Sequence, residues 1–375
     1  MTPIEMITNS QQLQQAAELF NKQKVLAWDL EADSMHHYRE QVCLLQASTE
    51  TQNFIIDPLA CPDFSPLVPH FANPAIVKVF HGADYDVRML HRGFGIEIVN
   101  LFDTMIACQF LGEPGVGLAA VLKKRFGVDL DKRYQQADWS RRPLPPEMID
   151  YAAKDTSLLL DLYGELTTEL AEKGRLSWVL EECELLSRVR TTERSEDPLS
   201  ARFKGASRMR PSAIAVLEGV LRFRDEEAEK KDLPPFKILG NEALREIAER
   251  NPSSIADLTG IGGLSPKLLD RYGKQILQAV RDGRKLPPEA LPVFAQKKRP
   301  ERSRLQDERL KALKEWRTQK AARLGIDAGV LVNNTLLEGL AESAPTEIAA
   351  IVGLKNWQAA VFGEELLAVI HGVTA

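Results

Sequence analysis

The sequence predicts an α/β layered domain followed by two small all-α domains. Three observations carry this. From Val25 to Asp103, short runs rich in Val, Ile, Leu and Phe alternate with helical patterns. Beyond Pro211 the texture is wholly helical. That helical part repeats itself at a spacing of about 93 residues, the distance from Phe223 to Trp316.

Val25–Asp33, Gln41–Ser48, Asn53–Asp57 and Ile76–His81 read as strands, because β-branched and aromatic side chains pack well on a pleated surface. Asp84–His91 reads as a short helix and Glu97–Asp103 as a further strand. Thr104–Leu111 and Leu118–Phe126 read as helices stopped at Gly112 and Gly127, since glycine takes the left-handed conformation that ends a helix without strain. Pro145 and Pro146 open a helical pattern that runs through Leu170; proline suits a first turn, where the amide it lacks has no intrahelical acceptor. A helical stretch around Leu176–Arg190 and a polar linker from Thr191 to Pro211 follow.

The repeat is then visible residue by residue. Phe223-Arg224, Ala228, Leu239, Asn241, Leu244, Ala248 and Pro252 recur as Trp316-Arg317, Ala321, Val332, Asn334, Leu337, Ala341 and Pro345, without a gap. A shorter loop brings Gly273, Ile276, Leu277 and Val280 into line with Gly363, Leu366, Leu367 and Ile370. With two copies at a spacing larger than a solenoid unit, the reading is of separate small domains rather than a stacked array. Leu286 to Arg304, rich in proline and basic residues, reads as the linker between them.

A chain of 375 residues suits two or three domains. Hydrophobic content of 44% beside 27% charged residues is that of a globular protein in water. No apolar run approaches the roughly 18 residues of a membrane span, and Met1 to Ser10 lacks the pattern of a secretory signal. Cys43, Cys61, Cys108 and Cys183 are scattered, which argues against a disulfide framework or a structural zinc site and fits a reducing cytoplasm. The net charge of −5 is not that of a nucleic-acid binder, but local distribution decides. Arg202, Lys204, Arg208 and Arg210 form one acid-free basic stretch. Lys297, Lys298, Arg299, Arg302 and Arg304 form another, interrupted by Glu301; taken alone both read as solvated linkers, and their position between predicted domains makes them candidates for phosphate contacts.

The chemistry lies in four acids and a tyrosine. In Trp28-Asp29-Leu30-Glu31, residues i and i+2 of a strand share a face, so Asp29 and Glu31 project together while Leu30 goes to the core. Two acids beside Val25, Leu26 and Ala27 contradict the strand's own burial pattern, and such conflicts are often functional, the alternative for this pair being a solvated edge. A divalent cation removes the repulsion, and hard oxygen ligands suit Mg²⁺ or Mn²⁺. In His81-Gly82-Ala83-Asp84-Tyr85-Asp86 a strand ends and a helix begins, the usual place for active-site groups in an α/β sheet. Tyr151 and Asp155, at i and i+4, share one face of a helix.

This set, Asp-x-Glu, then Asp86, then Tyr-x-x-x-Asp, resembles the DEDD exonucleases of the tyrosine subgroup, which have a ribonuclease-H-like fold. Within them Trp28 to Gln46, Val79 to Gly95 and Ala137-Asp138-Trp139-Ser140-Arg141-Arg142-Pro143-Leu144 through Asp155 resemble ribonuclease D. The two helical copies resemble HRDC domains, and a tandem pair fits that family. His36, His37 and Tyr38 look closer to the related eukaryotic exosome nucleases. The resemblance implies a 3′→5′ exonuclease domain over 1–172, a helical segment and linker over 173–209, one HRDC-like domain over 210–285, a linker over 286–304 and a second HRDC-like domain over 305–375. It implies that Asp29, Glu31, Asp86 and Asp155 ligate two divalent ions, Mg²⁺ or Mn²⁺, with Tyr151 orienting the attacking water. The activity implied is metal-dependent 3′→5′ exoribonuclease action in the cytoplasm, releasing nucleoside 5′-monophosphates from RNA with a free 3′ end, tRNA precursors above all. Neither a membrane nor a small organic cofactor is implied.

Other residues have plainer readings. His81 reads as a structural hydrogen-bonding group, Asp84 as exposed or as a support behind the ligands, and Asp103 as the cap of the following helix. Trp139, Arg141 and Arg142 suit either base stacking with phosphate contacts or packing of a helix N-terminus. A DNA exonuclease shares the same acids, but would not need the tandem repeats. An inactive RNA-binding scaffold has no reason to keep repulsive carboxylates together, and the absence of a Gly-x-x-x-x-Gly-Lys-Ser/Thr loop excludes an ATPase motor. The repeats are expected to add RNA affinity, so that a chain ended near Leu199 still cleaves; the competing reading is that they hold the first domain folded.

Overall fold

The computed structural model describes residues 3–191, 197–292, 294 and 302–373. Lys297, Lys298 and Arg299 of the second basic stretch lie outside them. The chain forms two compact units: Met1–Ala32, Val42–Thr191 and Arg299–Ala375 make the first, Asp33–Gln41 and Thr192–Lys298 the second.

In the first unit the strands are β1 (Ile4–Ile7), β2 (Val25–Ala32), β3 (Val42–Ser48), β4 (Asn53–Ile56), β5 (Val77–Phe80) and β6 (Leu101–Asp103). They form one sheet in the order β1-β4-β3-β2-β5-β6. β2 and β4 run antiparallel to β3, while β1 on β4, β5 on β2 and β6 on β5 are parallel. One detail of register positions the site. Val25, Leu26 and Ala27 pair with Val77, Lys78 and Val79, and the pairing with β5 stops there. β2 continues along β3 alone through Glu31 to Ala32. The segment from Trp28 onward therefore has a strand on one side only, and the acids emerge from this overhang.

The helices of the α/β part are α1 (Ser10–Phe20), α2 (Val68–Ala72), α3 (Asp84–Phe94), α4 (Thr104–Leu111), α5 (Leu118–Phe126), α6 (Pro146–Ser157), α7 (Leu159–Glu172) and α8 (Leu176–Ser187). Trp28, fully buried, packs against Phe20, His70 and Phe71 at ring distances of 5.3, 5.3 and 4.7 Å. Alternation along the strand then sends Asp29 and Glu31 to the opposite face.

The structure differs from the sequence reading in three places. The helix expected to run through Leu170 is two helices, broken where Leu158 leaves helical geometry at φ −111°, ψ 2°. The strand expected over Glu97–Asp103 is confined to Leu101–Asp103, because Asn100 is left-handed at φ 58° and an extended strand cannot pass through it. β1 and α1 lie outside the elements that the sequence predicts: β1 is four residues long, and α1 buries only Leu13, Ala16, Ala17 and Phe20 among glutamines.

The first helical copy comprises α9 (Pro211–Lys231), α10 (Pro235–Ile238), α11 (Asn241–Arg250), α12 (Ile255–Leu258) and α13 (Pro266–Arg284). The second comprises α14 (Arg304–Leu324), α15 (Ala328–Leu331), α16 (Asn334–Ser343) and α17 (Asn356–His371), and it belongs to the first unit. Trp357 stacks on Trp178 of α8 at 5.1 Å and meets Phe110 edge-on at 5.3 Å. Arg175 donates to the carbonyl oxygens of Phe110 and Leu324, each at 2.7 Å. Gly112 is left-handed at φ 79°, and a Cβ there would stand 1.8 Å from the Gly325 oxygen. Of the two readings of the repeats, packing on the α/β domain holds for this copy.

In the second unit the first copy packs on the segment 33–41 through Tyr38. Tyr38 is buried in its core; the Tyr38 amide donates to Asp232 Oδ1 at 3.1 Å, and His37 Nδ1 lies 2.7 Å from Asp232 Oδ2. The copies are equivalent down to single contacts. Arg224 donates to the Leu239 oxygen and Asn241 Oδ1, as Arg317 does to the Val332 oxygen and Asn334 Oδ1. Gly273 and Gly363 each face an isoleucine, Ile255 or Ile348, that a Cβ would meet at 2.9 or 2.8 Å.

The packing of the second copy generates a test. Trp357→Ala removes a buried aromatic that bridges α17 and α8, and is expected to destabilise the first unit by about 3–5 kcal/mol. Gly112→Ala should act in the same direction through strain and the close approach of Gly325. Denaturant unfolding reads both, and midpoints equal to that of the unaltered chain would refute the bridging role. A chain ended at Leu199 is accordingly expected to unfold at a lower temperature than the full chain.

Candidate active site

β2 supplies Asp29 and Glu31 from its overhang. β5 ends beside them in a turn through Gly82, left-handed at φ 78°, and α3 begins. Asp103 clamps this turn: its carboxylate accepts the amides of Gly82 and Ala83 at 3.0 and 2.7 Å, and those of Met105 and Ile106 at 2.8 and 3.2 Å. The sequence reading of Asp103 as a helix cap is therefore met, and the same side chain also fixes the start of α3. In the first turn of α3, Asp84 is exposed and pairs with Arg88, while Asp86 is 7% exposed. α6 supplies Tyr151 and Asp155 one turn apart.

Asp29, Glu31, Tyr151 and Asp155 line one cavity of about 380 Å³, together with His81, Lys132 and Gln135. Asp86 is not on its wall but acts on Asp29 and Glu31 at Coulombic range. Burial comes first in every case and pushes Asp29 up to about 7 and Asp155 up to about 8, with the Asp29 charge adding to the latter. Burial also raises Glu31 and Asp86 well above the ordinary carboxylate range, assisted for Glu31 by Asp29, Asp155 and Asp86. The Leu30 amide favours the charged forms of both Asp29 and Asp86, and burial outweighs it. Asp29, Glu31 and Asp155 keep part of their surface open to the cavity, so the desolvation comes from protein crowded around them rather than from complete enclosure. Among the described residues, no three His, Cys, Asp or Glu side chains converge closely enough to hold an ion as they stand.

Tyr151 is 8% exposed, with the rings of Tyr134 and Trp139 at 5.5 and 6.0 Å. Burial, with Asp155 and Glu31, raises its phenol above the ordinary value. His81 Nδ1 lies 2.8 Å from Thr104 Oγ1, the structural role read for it. Trp139 is buried, and Arg142 donates to both Asp57 oxygens and to the Cys43 and Trp139 carbonyls, so these two pack rather than stand ready for RNA. Lys132 and Gln135, on the loop between α5 and α6, are absent from the set that the sequence predicts. The available signal is Lys132-Arg133-Tyr134, a basic and aromatic run just before the α6 motif.

The 3′-5′ exonuclease family matches residues 4–171, and the HRDC domain matches 214–280 and 306–370. Ribonuclease D of Gluconacetobacter diazotrophicus is 30% identical over 98% of this chain and 93% of its own. The crystal structure of Escherichia coli RNase D, titled as an exoribonuclease involved in structured RNA processing, is 26% identical, covers 100% of both chains and superposes with a TM-score of 0.74. The catalytic core of RRP6 from Trypanosoma brucei is 34% identical over 76% of this chain and 80% of that one, with a TM-score of 0.66. Fold and family together define a 3′→5′ exoribonuclease. The chain belongs to the ribonuclease D family.

The raised carboxyls make stability depend on pH. A folded-state value above the unfolded one means that folding retains protons. That contribution is complete below about pH 4 and is lost as pH rises through about 7 for Asp29 and about 8 for Asp155. In chelator, the unfolding temperature is therefore expected to fall across this window, and to fall less in Asp29→Asn. Identical pH profiles for the two proteins would show that the Asp29 carboxyl is not held in this way.

Proposed function

We propose that the chain hydrolyses RNA from its 3′ end with two divalent ions, Mg²⁺ or Mn²⁺, held by Asp29, Glu31, Asp86 and Asp155, and releases nucleoside 5′-monophosphates. The observation that carries this is the burial of four mutually repelling carboxylates, whose charged neighbours at Glu31 are the other three acids. The donor set fits the ions: carboxylate oxygens are hard ligands, and a cation offsets the repulsion that burial intensifies. When bound, such ions activate water and stabilise the departing 3′-oxygen.

The remaining groups do the positioning. Tyr151 stays protonated, because its phenol is raised, and so serves as a hydrogen-bond donor that orients the attacking water rather than as a base. Asp103, through the amides of Gly82 and Ala83, keeps α3 and hence Asp86 in register with β2. Precursors of tRNA are the proposed substrate class, in keeping with the structured RNA processing named for the Escherichia coli relative. The four free, buried cysteines support a reducing, cytoplasmic setting.

Chelation is expected to abolish cleavage of 3′-labelled RNA, and Mg²⁺ or Mn²⁺ to restore it. Asp29→Asn, Glu31→Gln, Asp86→Asn and Asp155→Asn should each lose at least about a hundredfold in rate, while Tyr151→Phe slows hydrolysis and leaves metal binding intact. Undiminished digestion in excess chelator would sink the metal mechanism, and preference for a matched DNA over RNA would sink the substrate assignment.

A further inference from the structure

The two helical copies present the same face to different surroundings. In the second copy the N-terminal part of α17 is a docking face. The Asn356 and Trp357 amides donate to Glu181 at 2.7 and 2.8 Å, Trp357 Nε1 donates to Glu182 at 2.8 Å, and Val361, one turn on, packs against the same core. The register that aligns Gly273 with Gly363 places Lys267, Arg271 and Lys274 of the first copy at the positions of Trp357, Val361 and Glu364. The apolar anchor and its neighbour have become cations.

All three are exposed, and none is in an ion pair among the described residues. Their spacing, i, i+4 and i+7, puts them on one stripe of α13. Asp270 is the acid within this stretch. The neighbouring loop offers no free amide at Gly262, which donates to Glu246 at 2.7 Å, so the stripe of side chains rather than the loop is the charged feature. The acid-free stretch found in the sequence lies in the same unit: Arg202, Lys204, Arg208 and Arg210 are all exposed, and Arg245 of α11 donates to the Lys204 oxygen.

We propose that the copies have divided their work: the face that docks the second copy onto α8 is, in the first copy, a binding surface for the phosphate backbone of RNA, carried by Lys267, Arg271 and Lys274. The occupant follows from charge complementarity with the polyanion that this family degrades. Phosphate contacts position a nucleic acid without reading its sequence, which suits a surface of exposed cations.

The test uses the full chain in chelator, so that binding is read without cleavage and a failure of the metal mechanism leaves the result intact. The probe is an RNA hairpin with a single-stranded 3′ tail. Substituting Lys267→Gln, Arg271→Gln and Lys274→Gln together should weaken binding and lower the log–log salt slope by about 2, at roughly 0.7 per lost contact to a single strand. The charge-preserving set Lys267→Arg, Arg271→Lys and Lys274→Arg should keep the slope. Lys311→Gln, Lys314→Gln and Arg323→Gln, at exposed positions of the second copy outside the basic stretches, give the same change in net charge and should leave the slope close to that of the unaltered chain. An unchanged slope in the first variant overturns the proposal and leaves the face to an acidic protein. An equal loss in the second-copy variant overturns it too, since net charge alone would then be the cause.

Discussion

Four carboxylates held together against their own repulsion set the terms for the rest of the structure. Asp29 and Glu31 are adjacent on one strand face, and burial raises both rather than letting them sit charged in solvent. A site of this kind destabilises whatever carries it in the absence of a cation, so the scaffold must be rigid at that point. It is built where β2 runs beyond β5, with Trp28 locked among aromatic rings on the other face. The strand cannot twist the acids apart without withdrawing Trp28 from the core.

The other acids arrive on helices whose starts are fixed independently. Asp103 joins two turns by accepting four amides, which makes the beginning of α3 a consequence of β6 and the beginning of α4. That is a stronger device than an ordinary cap, because one carboxylate satisfies donors from two helix starts at once. α6 is seated by Tyr151, Ala152 and Ala153 against Cys43, Leu44 and Ile55 of the sheet, so Asp155 is presented from the face that also buries the tyrosine.

Much of this is legible because periodicity and chemistry disagree in the sequence. Acids at alternate positions beside Val25, Leu26 and Ala27 conflict with the strand's burial pattern, but that pair and the helical pair Tyr151 and Asp155 each arise often by chance. It is the three motifs in this order, through their resemblance to the DEDD exonucleases, that single out the set. What stays hidden depends on tertiary context. Lys132 and Gln135 reach the cavity from a loop without a periodic pattern. β1 is too short to show alternation, and the break at Leu158 has no glycine or proline to mark it. The repeat is visible as matching residues, but nothing in those matches says that one copy is built into the first unit.

Duplication explains that asymmetry in physical terms. A single small helical domain cannot present one face both to a protein core and to solvent. In two copies, the position that is Trp357 in one is Lys267 in the other, and each residue is favourable only in its own setting. Tryptophan at 267 would expose an aromatic ring to water, and lysine at 357 would bury a charge against Trp178 beside Phe110. Glu181 and Glu182 sharpen the distinction: they receive the helix amides, the indole and Lys355 of the second copy. The contacts that fix α17 to α8 thus specify which copy docks, and leave the other with a cationic face in solvent.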